Sequence, residues 1–154
     1  MKRRQRFSFW NRRSHMSRSE HVLELPKEEI EDRHHELISS RRVEGTSVYD
    51  PSGEKLGSIH SVMLNKRSGQ AAYAVMSFGG FLGMGGFAHP VPWSMLTYDE
   101  ELDGYVVDLT REQLERAPTF RLDESDRPRE RSQEELVYAY YGQLPWWGGV
   151  PPYV

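Results

Sequence analysis

With 154 residues, 37% of them hydrophobic, 28% charged and none a cysteine, the chain holds one ordinary domain with tails and excludes disulfides, thiolate metal centres and cysteine nucleophiles. Its net charge of −3 is unevenly shared: residues 1–18 carry seven basic side chains and no acid, so the other 136 residues carry −10. An acidic body argues against a globular face that grips a phosphate backbone, so nucleic acid is not expected as a partner of the domain.

In chain order, the first segment, MKRRQRFSFWNRRSHMSR, interleaves Arg3, Arg4, Arg6, Arg12 and Arg13 with Phe7, Phe9 and Trp10. It has too little apolar material to fold alone and reads as a disordered basic tail. It lacks the apolar stretch of a secretory signal. Two readings fit it: a plain extension, with Met16 as an alternative start, or an anchor for an anionic surface. In the second, each basic residue near a charged bilayer adds about 1 kcal/mol and the aromatic rings favour the interface. Leu25 to Leu37 is a charged short helix or linker. Its His34-His35 pair is expected to be solvated, because neighbouring side chains on a helix diverge and no other ligands cluster with them.

The strand pattern begins at Thr46. Asp50-Pro51-Ser52-Gly53 and Asn65-Lys66-Arg67-Ser68-Gly69 are turn chemistries that divide the next stretch into three strands. The parity of Leu56, Ile59, Val62 and Leu64 changes near His60, which predicts a β-bulge there. In the third strand Ala72, Ala74, Met76 and Phe78 alternate with Tyr73 and Val75, so both faces are expected to be covered.

Between Ser68 and Tyr98 there is no Asp, Glu, Lys or Arg, yet the glycines and prolines of this stretch are too frequent for a membrane-spanning helix. The glycine-rich GGFLGMGG at 79–86 lacks the following helix and the Lys-Ser/Thr of a phosphate cradle, and no cofactor is expected. Phe81, Leu82, Met84 and Phe87 are instead candidates for a protein contact. In FAHPVPW, Phe87, His89, Val91 and Trp93 fall at period 2 with Pro90 and Pro92 between them. The two missing donors lie along one side, which predicts a seam or edge strand. His89 on that apolar face reads as a core or seam residue, not a base. A hairpin from Met95 to Leu109 surrounds the acidic turn DEELDG, whose Glu100, Glu101 and Asp103 are expected to stay ionised in solvent. No catalytic residue and no metal site emerge.

Thr110 and Gln113 form a capping box for a short helix stopped by Pro118. After a charged linker, Ser132 and Glu135 are expected to cap a second helix. Leu136 with Tyr140 and Val137 with Tyr141 give it an apolar stripe, and Gly142 ends it. The C-terminal QLPWWGGVPPYV offers Trp146, Trp147 and Tyr153 as further contact residues. Five or six short strands with one terminal helix make the fold class all-β, a small barrel.

From Leu37 to Thr119 the chain resembles the PRC-barrel family, known from the cytoplasmic domain of the photosynthetic reaction centre H subunit and from a ribosome maturation factor. The matching residues are Val48-Tyr49-Asp50, Gly53-Glu54-Lys55-Leu56-Gly57-Ser58-Ile59, Gly79 to Gly85 and His89-Pro90-Val91-Pro92-Trp93. The resemblance implies a six-stranded β-barrel that serves as an assembly module without a catalytic centre. The expected organisation is thus a basic tail and linker at 1–34, a barrel at 35–120, and a linker, helix and aromatic tail at 121–154. The expected function is a cytoplasmic, non-catalytic adaptor that binds protein partners, itself included, and takes no small-molecule substrate. Peripheral attachment to the inner membrane through the N-terminal tail is the first alternative, and a ribosome or RNA assembly factor the second.

Overall fold

The computed structural model of the chain describes residues 35–78 and 86–148, all within one unit of the chain, 31–154. The readings placed on the N-terminal tail, on Phe81, Leu82 and Met84, and on Tyr153 lie outside the described residues.

After a single helical turn, α1 (Ser40–Val43), come β1 (Ser47–Tyr49), β2 (Lys55–Leu64), β3 (Ala71–Phe78) and β4 (Phe87–Pro92). A 3₁₀ turn at Trp93–Met95 leads to β5 (Leu96–Asp99) and β6 (Gly104–Val107). Then follow α2 (Arg111–Arg116), a two-residue β7 (Phe120–Arg121) and α3 (Arg131–Tyr140). The strands form one seven-stranded sheet in the order β5-β6-β1-β2-β3-β4-β7. All neighbours are antiparallel except β1 and β6.

The turns are made by the residues expected to make them. The Asp50 carboxylate accepts from the amides of Ser52 and Glu54 at 2.9 Å each, and Gly53 takes φ 87°. The Asn65 side chain accepts from Arg67 N and Ser68 N at 2.9 and 3.0 Å. The bulge near His60 is present as a register shift between Ile59 and Ser61, and it leaves His60 exposed. Gly57 is where β2 crosses closest to β3: a Cβ there would stand 2.1 Å from the Ser77 carbonyl oxygen, so only glycine lets the two backbones meet.

Six strands closed into a ring were expected, and the structure has seven in an open sheet. It curls, so that Val48, Leu56, Ile59, Ala74, Met76, Val91, Tyr105 and Val107, from β1, β2, β3, β4 and β6, share one core with Leu114 of α2. No ladder joins β5 to β7. Proline is the physical reason. Pro90 and Pro92 stand opposite Val75 and Tyr73 of β3, so their missing donors face the outer side of β4. Pairing on that side stops at Phe87 and Ala88, where β7 is attached. The third strand is covered on both faces, as expected, but Ala72 lies in the outer cluster with Tyr73, Val75, Ala88, Phe120 and Val137 and not on the Ala74 face. The register of β3 on β2 shifts between Tyr73 and Ala71, and Ala72 falls in that shift.

The capping box on α2 is formed as read: Thr110 Oγ accepts from Gln113 N at 3.1 Å, and the Gln113 side chain accepts from Thr110 N at 2.8 Å. That on α3 is displaced. Glu130 is the N-cap, with Gln133 as its reciprocal partner, and Ser132 and Glu135 lie inside the helix. The buried stripe of α3 is Val137 and Tyr138, with Tyr141 half-buried beyond it, while Leu136 and Tyr140 face outward at 65% and 41% exposure. The helix ends at Gly142, whose φ is 64°.

Candidate functional site

The outer face of β3 is where the C-terminal segment docks. The Tyr138 hydroxyl donates to the Ala72 carbonyl at 2.9 Å, and Tyr140 and Ser94 add bonds to the Gln113 carbonyl and to the Gln143 side chain at 2.6 and 3.2 Å. Beyond α3 the chain turns back so that Trp147 packs edge-on against Tyr138, with ring centres 5.9 Å apart, and Trp146 packs on Trp147 at 5.3 Å. The Arg131 guanidinium lies over both indoles, 4.5 Å from the Trp147 ring and 5.8 Å from that of Trp146. Such stacking holds a cation without a salt bridge. On the other side of the helix Arg129 covers the Phe120 ring at 4.2 Å and donates to the Glu124 carbonyl at 2.7 Å.

Between this segment and the end of the β2–β3 hairpin lies a groove of about 470 Å³. Met63, Leu64 and Tyr73 form its apolar floor, Trp146 and Glu134 one wall, and the turn with Lys66 and Arg67 the opposite rim. The volume is that of a ligand-binding cleft. Leu64 is 53% exposed and Trp146 41%, so two large apolar side chains border the groove and face water.

Electrostatics separate the two walls. Burial pushes the Glu134 carboxyl above the usual carboxylate value, while the Trp146 indole and the Arg131 guanidinium pull it back toward the charged form. Burial, reinforced by the Glu134 charge, pushes the Tyr73 phenol up to about 12. The Tyr73 hydroxyl faces that carboxylate yet is buried without a hydrogen bond of good geometry. Lys66 and Arg67 on the far rim are exposed, and neither is in an ion pair with a described residue.

Of the residues singled out in the sequence, Trp146 and Trp147 come together beside this groove. Trp147 is half-buried against α3 and only Trp146 lines the opening. Phe87 is 55% exposed at the β4–β7 edge, opposite Arg121. Met63, Leu64, Lys66, Tyr73 and Glu134 were not marked by the sequence as contact residues. The signal that could have found Leu64 and Lys66 is an apolar strand end followed, after Asn65, by two cations in a turn.

The candidates for chemistry are dispersed. His89 is buried and packs edge-on against Phe78 with ring centres 5.3 Å apart; its Nδ1 has no partner, and burial lowers its basicity. In the acidic turn, Asp99 accepts from the amides of Glu101 and Leu102 at 2.9 and 3.0 Å, and Tyr98 donates to Asp103. These are structural roles. Among the described residues no three His, Asp or Glu side chains are grouped to hold a metal ion, and no helix is long and apolar enough to cross a membrane.

Compared with known protein families, residues 35–114 match the PRC-barrel domain. No curated protein matches the sequence. The match spans more than half of the chain, which belongs to the PRC-barrel domain family.

Proposed function

We propose that this PRC-barrel protein is a non-catalytic adaptor that binds a protein partner through the groove between the β2–β3 hairpin and the C-terminal aromatic segment. One observation carries the reading: Leu64 and Trp146, both large and both exposed, border an apolar groove with a cationic rim. Isolated exposed apolar residues are ordinary, but a contiguous set around a cleft with polar edges is the anatomy of a contact site. Tryptophan at its wall is the residue type that most often dominates binding energy. The core is filled by side chains, which supports use of the outside over a ligand held within. A cytoplasmic place of work goes with this reading.

The test is capture of partners from native lysate by the intact chain and by the double variant Leu64→Ser/Trp146→Ala, after circular dichroism shows that both are folded. A partner held by the intact chain and lost by the variant is the expected result. Recovery of the same proteins by both would sink the reading.

A second reading, attachment to an anionic bilayer, is favoured by the sequence of the N-terminal tail, with Arg3, Arg4, Arg6, Arg12 and Arg13 set among Phe9 and Trp10. Co-sedimentation with phosphatidylserine vesicles is expected to be strong for the full chain and weak for one beginning at Met16. Equal pelleting of the two removes this reading.

A further inference from the structure

Leu102, at the tip of the β5–β6 turn, is 37% exposed and is flanked by Asp99, Glu100 and Glu101 before it and Asp103 after it. The turn is held rigidly: Asp99 accepts from the amides of Glu101 and Leu102, Tyr98 anchors Asp103, and Asp103 takes φ 46°. An aliphatic knob bordered by acids complements the apolar floor of the groove and the cations Lys66 and Arg67 at its rim, with its acids turned to that rim and not to the Glu134 wall. The topology adds a geometric relation. Since β1 is antiparallel to β2 and parallel to β6, the C-terminal end of β2 and the N-terminal end of β6 leave the sheet at the same end. Groove and knob therefore both lie toward one end of the sheet.

We propose that the groove is filled by the β5–β6 turn of a second copy of this chain. Leu102 enters between Leu64 and Trp146, and Glu101 meets Lys66 and Arg67. Because knob and groove share one end, two copies facing each other about a two-fold axis exchange both contacts, giving a closed dimer in place of an open filament. A rigid turn loses little conformational freedom on docking, and opposed charges fix its register. The inference rests on the adaptor reading in using the same groove, and it names the chain itself as one occupant.

The experiment is sedimentation velocity on the full chain and three variants: Leu102→Asp, Glu101→Lys, and Lys66→Glu/Arg67→Glu. Glu101, Lys66 and Arg67 are exposed, whereas Leu102 is 37% exposed, so circular dichroism first establishes that each variant is folded, and the charge variants carry the test should Leu102→Asp unfold. The unaltered chain is expected to dimerise, more weakly as salt screens the rim charges. Leu102→Asp abolishes the dimer. Glu101→Lys and Lys66→Glu/Arg67→Glu each weaken it at least about tenfold, because both symmetric contacts become like-charged. Mixing these last two restores association, since in the mixed dimer both contacts are opposite-charged again. A monomer at every soluble concentration, or a dimer that none of the variants disturbs, overturns the proposal. Neither outcome touches the adaptor reading, which needs only a foreign partner and fails on the capture experiment alone.

Discussion

Removing one oxygen atom from Tyr138 tests whether the C-terminal helix is part of the folded body. Tyr138 is 2% exposed, and its hydroxyl donates to the Ala72 carbonyl across 2.9 Å. Ala72 falls in the register shift of β3 on β2. In Tyr138→Phe a mostly buried acceptor loses its donor. The cost of such an orphaned group is about 1–2 kcal/mol. For a domain of this size that lowers the melting temperature by roughly 5 °C, and the urea midpoint falls at unchanged m-value. Tyr140→Phe is the control. Its hydroxyl also donates to a carbonyl, that of Gln113 at 2.6 Å, but the residue is 41% exposed and water replaces the lost donor. That variant is expected to lose less than about 0.5 kcal/mol. Equal stability of Tyr138→Phe and the unaltered chain, or a larger loss in Tyr140→Phe, would refute the docking of α3 on β3 and with it the wall of the groove.

Gly57→Ala forces a Cβ to within 2.1 Å of the Ser77 backbone oxygen, which no side-chain rotation relieves, and is expected to cost about 3 kcal/mol or to abolish folding. Gly53→Ala, with nothing within 4 Å but φ 87°, costs only about 1–2 kcal/mol by the same chemical denaturation. Burial lowers the His89 pKa from 6.5, so the unfolded chain binds the proton more readily than the folded one; stability is full above 6.5 and is lost as pH falls toward the lowered folded value. His89→Leu is expected to flatten that decline in urea midpoints measured between pH 5 and about 7.5. Glu134 behaves oppositely: its folded pKa lies above 4.5, so stability declines as pH rises from 4.5 through the folded value, and Glu134→Gln removes the decline.

The sequence could be read where the controlling interaction is local. Asp50, Asn65 and Thr110 each bond a backbone amide within four residues, and each turn or cap stands where its chemistry placed it. The bulge at His60 was legible because large apolar residues on both sides of it reveal the change of parity. The bulge at Ala72 was not, because two adjacent alanines carry no such contrast. The second cap shows another limit: Ser132 with Glu135 is the capping pattern, whereas Glu130, the N-cap actually used with Gln133, is not a residue type that marks a helix start. Burial of Val137 and Tyr138 against β3 accompanies the register actually used, and the helical segment alone says nothing of that surface. The prolines of β4 were read correctly as an unpaired side, yet the ring was still expected to close. An edge without donors cannot carry a closing ladder, so the seventh strand is confined to Phe87 and Ala88, ahead of Pro90.

The groove was the least legible feature, for a reason of distance along the chain. Its floor comes from residues 63–73 and its wall from residues 128–146, and the two meet only because Tyr138 and Val137 seat α3 on the outer face of β3. Trp146 and Trp147 look equivalent in the sequence, but the turn after Gly142 spends one on packing against Tyr138 and leaves the other at the opening. The physical demand that divides them is the same one that buries Tyr138: a ten-residue helix with two fully buried apolar side chains holds too little area to dock alone, so a neighbouring aromatic ring must complete the contact. Trp147→Ala should accordingly loosen α3 and raise amide exchange across residues 131–140 strongly, whereas Trp146→Ala, which removes only the contacts to Glu134, Arg131 and Trp147, should raise it less and weaken binding more. A reversal of those two outcomes would show that the wall of the groove, not the packing beneath it, holds the helix in place.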